Sequence, residues 1–478
     1  MPAAKENKMK NLNRWTRLTP LLAALVLAGC ATALPPVEDR LLPATPAAFK
    51  ETDGRWAQAT PADAQPRGEW WKSFGDAELD RWVERAGEQN TSIQQAAARL
   101  QQARALVRSA DANRAPQVGV GAGLSRQAGV DNNGPANTLA RVGIDLQYEL
   151  DLFGRLSRAS QAAELDAQSR AALLQSTRLL VQADTAQTYL ALRMLDAERA
   201  LVRDTVNAYR DTLRLTERRQ QAGDIAELDV ARVRTEVAAT ESEALALDQR
   251  RATLEHALAV LVGEAASSFS VPPQDWSAAL PTVPPGLPST VLQRRPDVAA
   301  AQRSMLAAQA RVGVAQAAWF PSVSLTGSAG QASTDVGDLF KWSMRSWGVG
   351  ALLSLPLFDG GRRQAGVDSA RAELDGALAG YREQVLVAFR DVEDQLAALR
   401  LLADQAEAQS RAVASATRAT SLSTSRYRNG YVSQLDLLDA QRTELRNRRQ
   451  ALQVRAAQYQ ATVGLVRALG GGWDVAGG

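Results

Sequence analysis

The sequence predicts a mainly α chain with a membrane β-barrel portion. It reads as two internally duplicated, long coiled-coil helical hairpins plus four strands per chain. Three chains would close it as a trimeric twelve-stranded barrel and α-helical tunnel. Three observations predict this class: an internal repeat, helix-length runs free of Gly and Pro, and segments of two-residue alternation.

The repeat comes first because a fixed period decides architecture. At a shift of 205, Ala103, Val107, Pro116, Gly143, Leu150 and Phe153 meet identical residues at 308, 312, 321, 348, 355 and 358. Beyond 359–361 the shift becomes 207, and Gly223, Leu228, Asp229, Leu258 and Gly263 meet Gly430, Leu435, Asp436, Leu465 and Gly470. The first copy is read as 69–263 and the second as 290–470, joined by a Pro-rich linker over 264–289 and followed by a Gly-rich tail, 471–478.

Taken in chain order, residues 1–29 form a signal peptide, in which a basic region to Arg17 precedes the apolar run "LTPLLAALVLAG". The chain's single cysteine, Cys30, closes that run. "LAGC" resembles a lipobox, which implies a covalent lipid on Cys30; Ala31 after it implies sorting to the outer membrane. Residues 30–68 would be an extended linker from that anchor. The signal segment holds five cations against one acid, so the remainder is near neutral despite a formal charge of +3, and no nucleic-acid partner is expected.

Each copy then opens with a helix, 91–115 and 297–319, that ends at a proline. Between Gly154 and Gly223 neither Gly nor Pro occurs, and at 1.5 Å per residue such a helix reaches about 100 Å. Leu192, Leu195, Arg199, Val202, Val206, Tyr209, Leu213 and Thr216 alternate steps of three and four. So do Val233, Val237, Thr240, Ala244, Leu247, Arg251, Leu254, Leu258 and Leu261 on the returning helix. That is a coiled-coil seam with one Arg interrupting each side. Hairpins are expected over 155–263 and 362–470, turning at Gly223 and Gly430.

Strands are expected over about 117–153 and 322–358. In "RVGIDLQYELDLF", Val142, Ile144, Leu146, Tyr148 and Leu150 take one parity, and Asp145, Gln147 and Glu149 the other. Val323 and Leu325, and Trp347, Val349, Ala351, Leu353 and Leu355, repeat the apolar parity, with Leu352 breaking the polar set. An amphipathic sheet could lay this apolar face on a helix. Ten-residue alternating segments also suit an outer-membrane barrel, with Asp145, Gln147 and Glu149 facing the lumen. Aromatics near the ends, among them Tyr148, Phe153, Trp319, Phe320, Phe340, Trp342 and Phe358, suit interfacial girdles. Four strands cannot close a barrel and an open edge is not tolerated in lipid, so subunits would have to share one.

The duplicated helix–strand–strand–hairpin order resembles the TolC family of outer-membrane factors. "WWKSFGDAELDRWVERAGEQNTSIQQAAARLQQAR" (70–104) and "RRPDVAAAQRSMLAAQARVGVAQAAWFPSVSL" (294–325) resemble its lipoprotein branch, which serves resistance-nodulation-division (RND) efflux pumps. The resemblance implies a homotrimer in outer-membrane lipid, a periplasmic adaptor (membrane fusion) protein and an inner-membrane RND transporter as partners, and passive export through a periplasmic gate. "RYRNGYVSQLDLLDAQR" (426–442) is similar to that gate. Carried over, Leu435 would form an apolar constriction, Asp436 and Asp439 acidic rings, and Tyr427 and Arg442 ties that hold the tips shut. The first copy departs, with Arg232 where the second has Asp439; Arg232 and Arg234 would pair with carboxylates across the helices.

No enzyme, cofactor or metal is expected beyond the Cys30 lipid. His256 stands alone in the seam-bearing helix, and "GVGAG" (119–123) lacks the spacing of a phosphate loop and leads into a strand. An outer-membrane component of type I protein secretion is the nearest alternative function. A structural coiled-coil lipoprotein would leave the strands without a purpose.

Overall fold

The computed structural model describes residues 45–46, 48–51, 68–127, 136–274, 276, 278–281, 283, 291–292 and 294–471. The expected signal peptide, Cys30, most of the N-terminal linker, part of the Pro-rich linker and all but the first residue of the Gly-rich tail lie outside them. The chain is mainly α with one four-stranded sheet, and divides into two compact units.

The unit built on 100–170 and 301–381 contains the sheet. Strands β1 (Gln117–Gln127), β2 (Asn137–Leu150), β3 (Ser322–Ser333) and β4 (Arg345–Ser354) pair antiparallel in the order β1-β2-β3-β4. Directly opposed residues share a face, so register tests parity across all four strands. Ile144 faces Val120 on one side and Ala329 on the other, and Ala329 faces Trp347. Asp145 faces Gly119 and Ser328, and Ser328 faces Gly348. The two copies thus contribute their apolar parities to one face and their polar parities to the other. At Gly143 and Gly330, which oppose each other, the backbones come so close that a Cβ on Gly330 would lie 2.3 Å from the Val142 carbonyl oxygen.

A sheet laid on a helix is not what forms. Val118, Val120, Leu124, Ile144, Trp347, Val349 and Leu353 are all more than half exposed, so no element among the described residues covers the apolar face. The reason is topological. Consecutive strands pair as antiparallel neighbours, and the α-helices of each copy lie before its first strand or after its second, so among the described residues neither copy supplies a crossover helix to cover the sheet.

Helices α1 (Ala77–Gln89), α2 (Thr91–Ala112), α3 (Arg155–Gln221), α4 (Glu227–Leu261), α5 (Pro296–Ala317), α6 (Arg362–Arg428) and α7 (Gln434–Ala468) complete the chain. α3 and α6 each have 67 residues, and α4 and α7 each have 35. α2 and α5 stop at Ala112 and Ala317, and single turns carry the chain on to Pro116 and Pro321. α6 begins at Arg362 and continues through Gly366, Gly376 and Gly380, each of which costs the helix up to about 1 kcal/mol relative to alanine.

The second unit holds most of the α3–α4 and α6–α7 hairpins. Every seam position named above is buried or partly buried. The two arginines that interrupt the seam meet acids. Arg199 reaches Asp196 at 3.0 Å and Asp248 at 2.5 Å, and Arg251 reaches Asp196 at 2.8 Å and Glu255 at 3.1 Å. Burial disfavours the Arg251 charge, but hydrogen bonds and attraction from Asp196 and Glu255 outweigh it and hold its pKa above the ordinary value.

This cluster extends to the linker. The Val271 N–H donates to Glu255 at 2.6 Å, Arg251 donates to the Val271 carbonyl, and Arg193 donates to the Pro272 carbonyl at 2.8 Å. Arg193 also donates to the Tyr189 hydroxyl at 3.1 Å, which donates to Asp76 at 2.9 Å; Trp276 Nε1 donates to the same Asp76 oxygen. Asp76 in turn caps α1 through the N–H groups of Glu78 and Leu79. The "WWKSF" stretch is a 3-10 turn that buries Trp70, Trp71 and Phe74 beside that cap. In "RRPD", Pro296 takes the first position of α5, where no N–H is needed. Arg295 is buried against Asp297 at 2.7 Å, Asp391 at 3.2 Å and the Ala468 carbonyl.

Candidate functional site: the hairpin tips and the strand face

Both tips turn through the same motif. Gly223 (φ 81°) and Gly430 (φ 78°) adopt the left-handed conformation that glycine takes without penalty. Gly223 N–H bonds to the Gln220 carbonyl and Asp224 N–H to Arg219; Gly430 N–H bonds to Tyr427 and Tyr431 N–H to Arg426. Each pair is a Schellman closure of the preceding helix.

The copies differ at the next helix start. α4 begins at Ala226 without a side-chain cap. α7 begins at Ser433 with a capping box: Asp436 N–H donates to the Ser433 hydroxyl at 3.2 Å, and Ser433 N–H donates to Asp436 at 3.0 Å. The Ser433 hydroxyl donates to the same carboxylate at 2.7 Å, and with that N–H bond it holds the Asp436 pKa below the usual carboxylate value. Asp436 therefore starts its helix as well as presenting charge. Asp439, three residues on, is exposed, as are Asp436 and Leu435.

Tyr427 and Arg442 both connect the two hairpins. Tyr427 is buried, and the Arg219 guanidinium of α3 lies 5.0 Å over its ring. Arg442 pairs with Glu236 of α4. Seven residues along each helix, Arg449 pairs with Glu243 of α4, and at 2.8 Å with Glu198 of α3. The seven-residue step on both partners is the coiled-coil repeat written in charge. Beneath these ties Tyr209, Val233, Val237 and Leu438 form a buried cluster with Leu213 against it. Burial, with Glu236 nearby, pushes the Tyr209 hydroxyl up to about 12.

Of the first-copy arginines, Arg234 does cross the hairpin, to Glu217 at 2.9 Å. Arg232 does not. It sits on the exposed face of α4, and among the described residues it pairs with Asp229 of its own helix, at 3.5 Å. Sequence reasoning missed Glu236 and Arg219, the partners of the two tie residues. Each lies more than 200 residues from its partner, and no local pattern links them.

On the sheet, Asp145, Gln147 and Glu149 share the polar face with Gly119, Gly121, Gly123, Thr326 and Ser328. Glu149 is not a free charge, because Arg155 at the start of α3 binds both its oxygens at 2.8 Å. Asp145 has no ion-pair partner among the described residues, and glycines beside it leave the face thin. His256 is exposed, and no metal-holding group of acids, His and Cys occurs among the described residues. No helix among them is long and apolar enough to cross a membrane.

Comparison with known proteins gives one consistent answer. The family model described as outer membrane efflux protein matches residues 82–264 and 287–471. The chain is 34% identical to outer membrane protein OprJ of Pseudomonas aeruginosa, covering 96% of each chain. It is 30% identical to the cation efflux system protein CusC of Escherichia coli, covering 96% of this chain and 99% of that one. Among solved structures, it superposes on the open state of the Neisseria gonorrhoeae MtrE outer membrane channel with a TM-score of 0.81 at 28% identity, covering 92% and 98%. The chain belongs to the outer membrane efflux protein family, the outer-membrane channels of tripartite efflux pumps.

Proposed function

We propose that this chain is the exit duct of such a pump, a homotrimer anchored by lipid on Cys30 and opened at the α3–α4 and α6–α7 tips. The observation that carries the reading is the sheet. It has one apolar and one polar face, both uncovered, and strands β1 and β4 each offer an unpaired edge. In lipid those edges must be satisfied, and pairing β1 with β4 of the next chain does so; three copies give twelve strands. The apolar face then meets lipid, and Asp145 and Gln147 line water.

The tips face the periplasm, where they meet the adaptor and, with it, the inner-membrane RND transporter. Leu435, Asp436 and Asp439 line the constriction as rings of three. Like charges in a narrow bore favour cations. The duct conducts passively, so its cargo is selected by the transporter. The named relatives fit this, since one belongs to a cation efflux system.

The test is cation selectivity of the reconstituted full-length protein in planar bilayers. Asp436→Asn/Asp439→Asn keeps an acceptor for the Ser433 N–H while removing both charges. Selectivity should fall; unchanged selectivity would sink the ring assignment.

A further inference from the structure

The outer end of the sheet carries a feature that export does not require. On the apolar face, β1 runs Val118, Val120, Ala122, Leu124 and then Arg126. Read in the same direction, β4 runs Leu353, Ala351, Val349, Trp347 and then Arg345. Each apolar run on an edge strand is thus followed, two residues on and on the same face, by an arginine. Both arginines lie toward the hairpin connections, the end away from α3 and α6.

Their heights can be compared through the register. Arg345 opposes Gln331, which opposes Val142, which opposes Ala122. Arg126 lies four residues beyond Ala122. Four residues at about 3.3 Å give about 13 Å of offset across three strand spacings of about 4.8 Å, or about 14 Å. That slant corresponds to a tilt of about 40°, within the range for membrane barrels. The opposite border slants the same way. Val118 is level by register with Val349, whereas β4 continues its apolar run four residues further, to Leu353. Tilted into a barrel, the two arginines stand at one height, at the border of the apolar band.

We propose that Arg126 of one chain and Arg345 of the next form, at each subunit seam, a site for the phosphates of an outer-leaflet lipid headgroup. The proposal rests on the trimeric reading, since β1 and β4 meet only between chains. The chemistry is unbalanced without an anion. Arg126 has no ion-pair partner among the described residues, and the Arg345 guanidinium lies 4.4 Å over the Trp342 ring. Neighbouring Lys341 is already held by Asp338 at 2.6 Å. No acidic residue occupies the apolar face of any strand. Paired guanidinium groups suit phosphate oxygens, and Trp342 and Trp347, both largely exposed, place the seam at the headgroup level.

The experiment is native mass spectrometry of the purified full-length protein, titrated with lipid A and with dephosphorylated lipid A. Up to three lipid A molecules should bind per trimer, at least tenfold more tightly than the dephosphorylated form. Arg126→Gln/Arg345→Gln should abolish that preference, and Arg126→Lys/Arg345→Lys should keep part of it while showing that the altered seam still assembles. Equal binding of the two lipids by the unaltered protein would overturn the proposal, as would equally effective competition by inorganic phosphate. Failure of the trimeric reading is separately visible, as a mass other than that of three chains.

Discussion

The tie between Arg442 and Glu236 predicts how readily the tips part. The Glu236 side chain is 16% exposed and that of Arg442 41%, so the pair is half in water. An ion pair so placed is worth about 1 kcal/mol after screening, at the upper end for exposed pairs. Movement of the α6–α7 tip away from α3–α4 breaks it. If the three tips of a trimer move together, three pairs give about 3 kcal/mol, or about a hundredfold in the opening equilibrium. Single-channel recording of Arg442→Gln, Glu236→Gln and the double variant reads this directly. Each single variant should raise open probability strongly, and the double should exceed neither by much, because the second change finds no partner left to lose. Open probabilities unchanged in the single variants, or additive in the double, would refute the tie.

Three further outcomes follow from other parts of the molecule. Asp196→Ala should destabilise the protein by about 3–5 kcal/mol, because it leaves Arg251 and Arg193 buried beside a missing charge; a thermal melt within a degree of the parent would contradict this. Gly330→Ala should prevent the β2–β3 pairing and abolish heat-modifiable migration on gels, whereas Gly119→Ala, with open space at its Cβ, should leave it intact. Asp436, whose folded pKa lies below its unfolded value, stabilises the α7 start above the ordinary carboxylate range, and that contribution fades as pH falls through the folded value. Protection factors of the amides at residues 434–437, taken relative to intrinsic exchange at each pH, should therefore fall in acid in the parent and change less with pH in Asp436→Asn.

Much of this architecture was legible because it is periodic. The 205–207 shift aligned the strands, the seam showed the hairpins, and Gly223 and Gly430 marked the turns. Parity alone separated Asp145 from Ile144, and the register then extended that separation to all four strands. What parity could not decide was whether a helix covered the apolar face, since that depends on where each crossover goes. Long-range pairs were equally hidden. An arginine in a seam announces that an acid must be near, but nothing local named Asp196 for Arg251, Asp76 for Tyr189 and Trp276, or Glu236 for Arg442. Arg232 went the other way, because neighbours on an exposed helix face pair more readily than residues across a hairpin.

The central claim, that three chains share one barrel with the apolar strand face in lipid, is tested most directly by spin-label accessibility along β2. Labels placed singly at 142–149 in the reconstituted protein should alternate with period two. Positions 142, 144, 146 and 148 should respond to a lipid-soluble relaxant, and 143, 145, 147 and 149 to an aqueous one. Equal aqueous access at both parities would contradict the account.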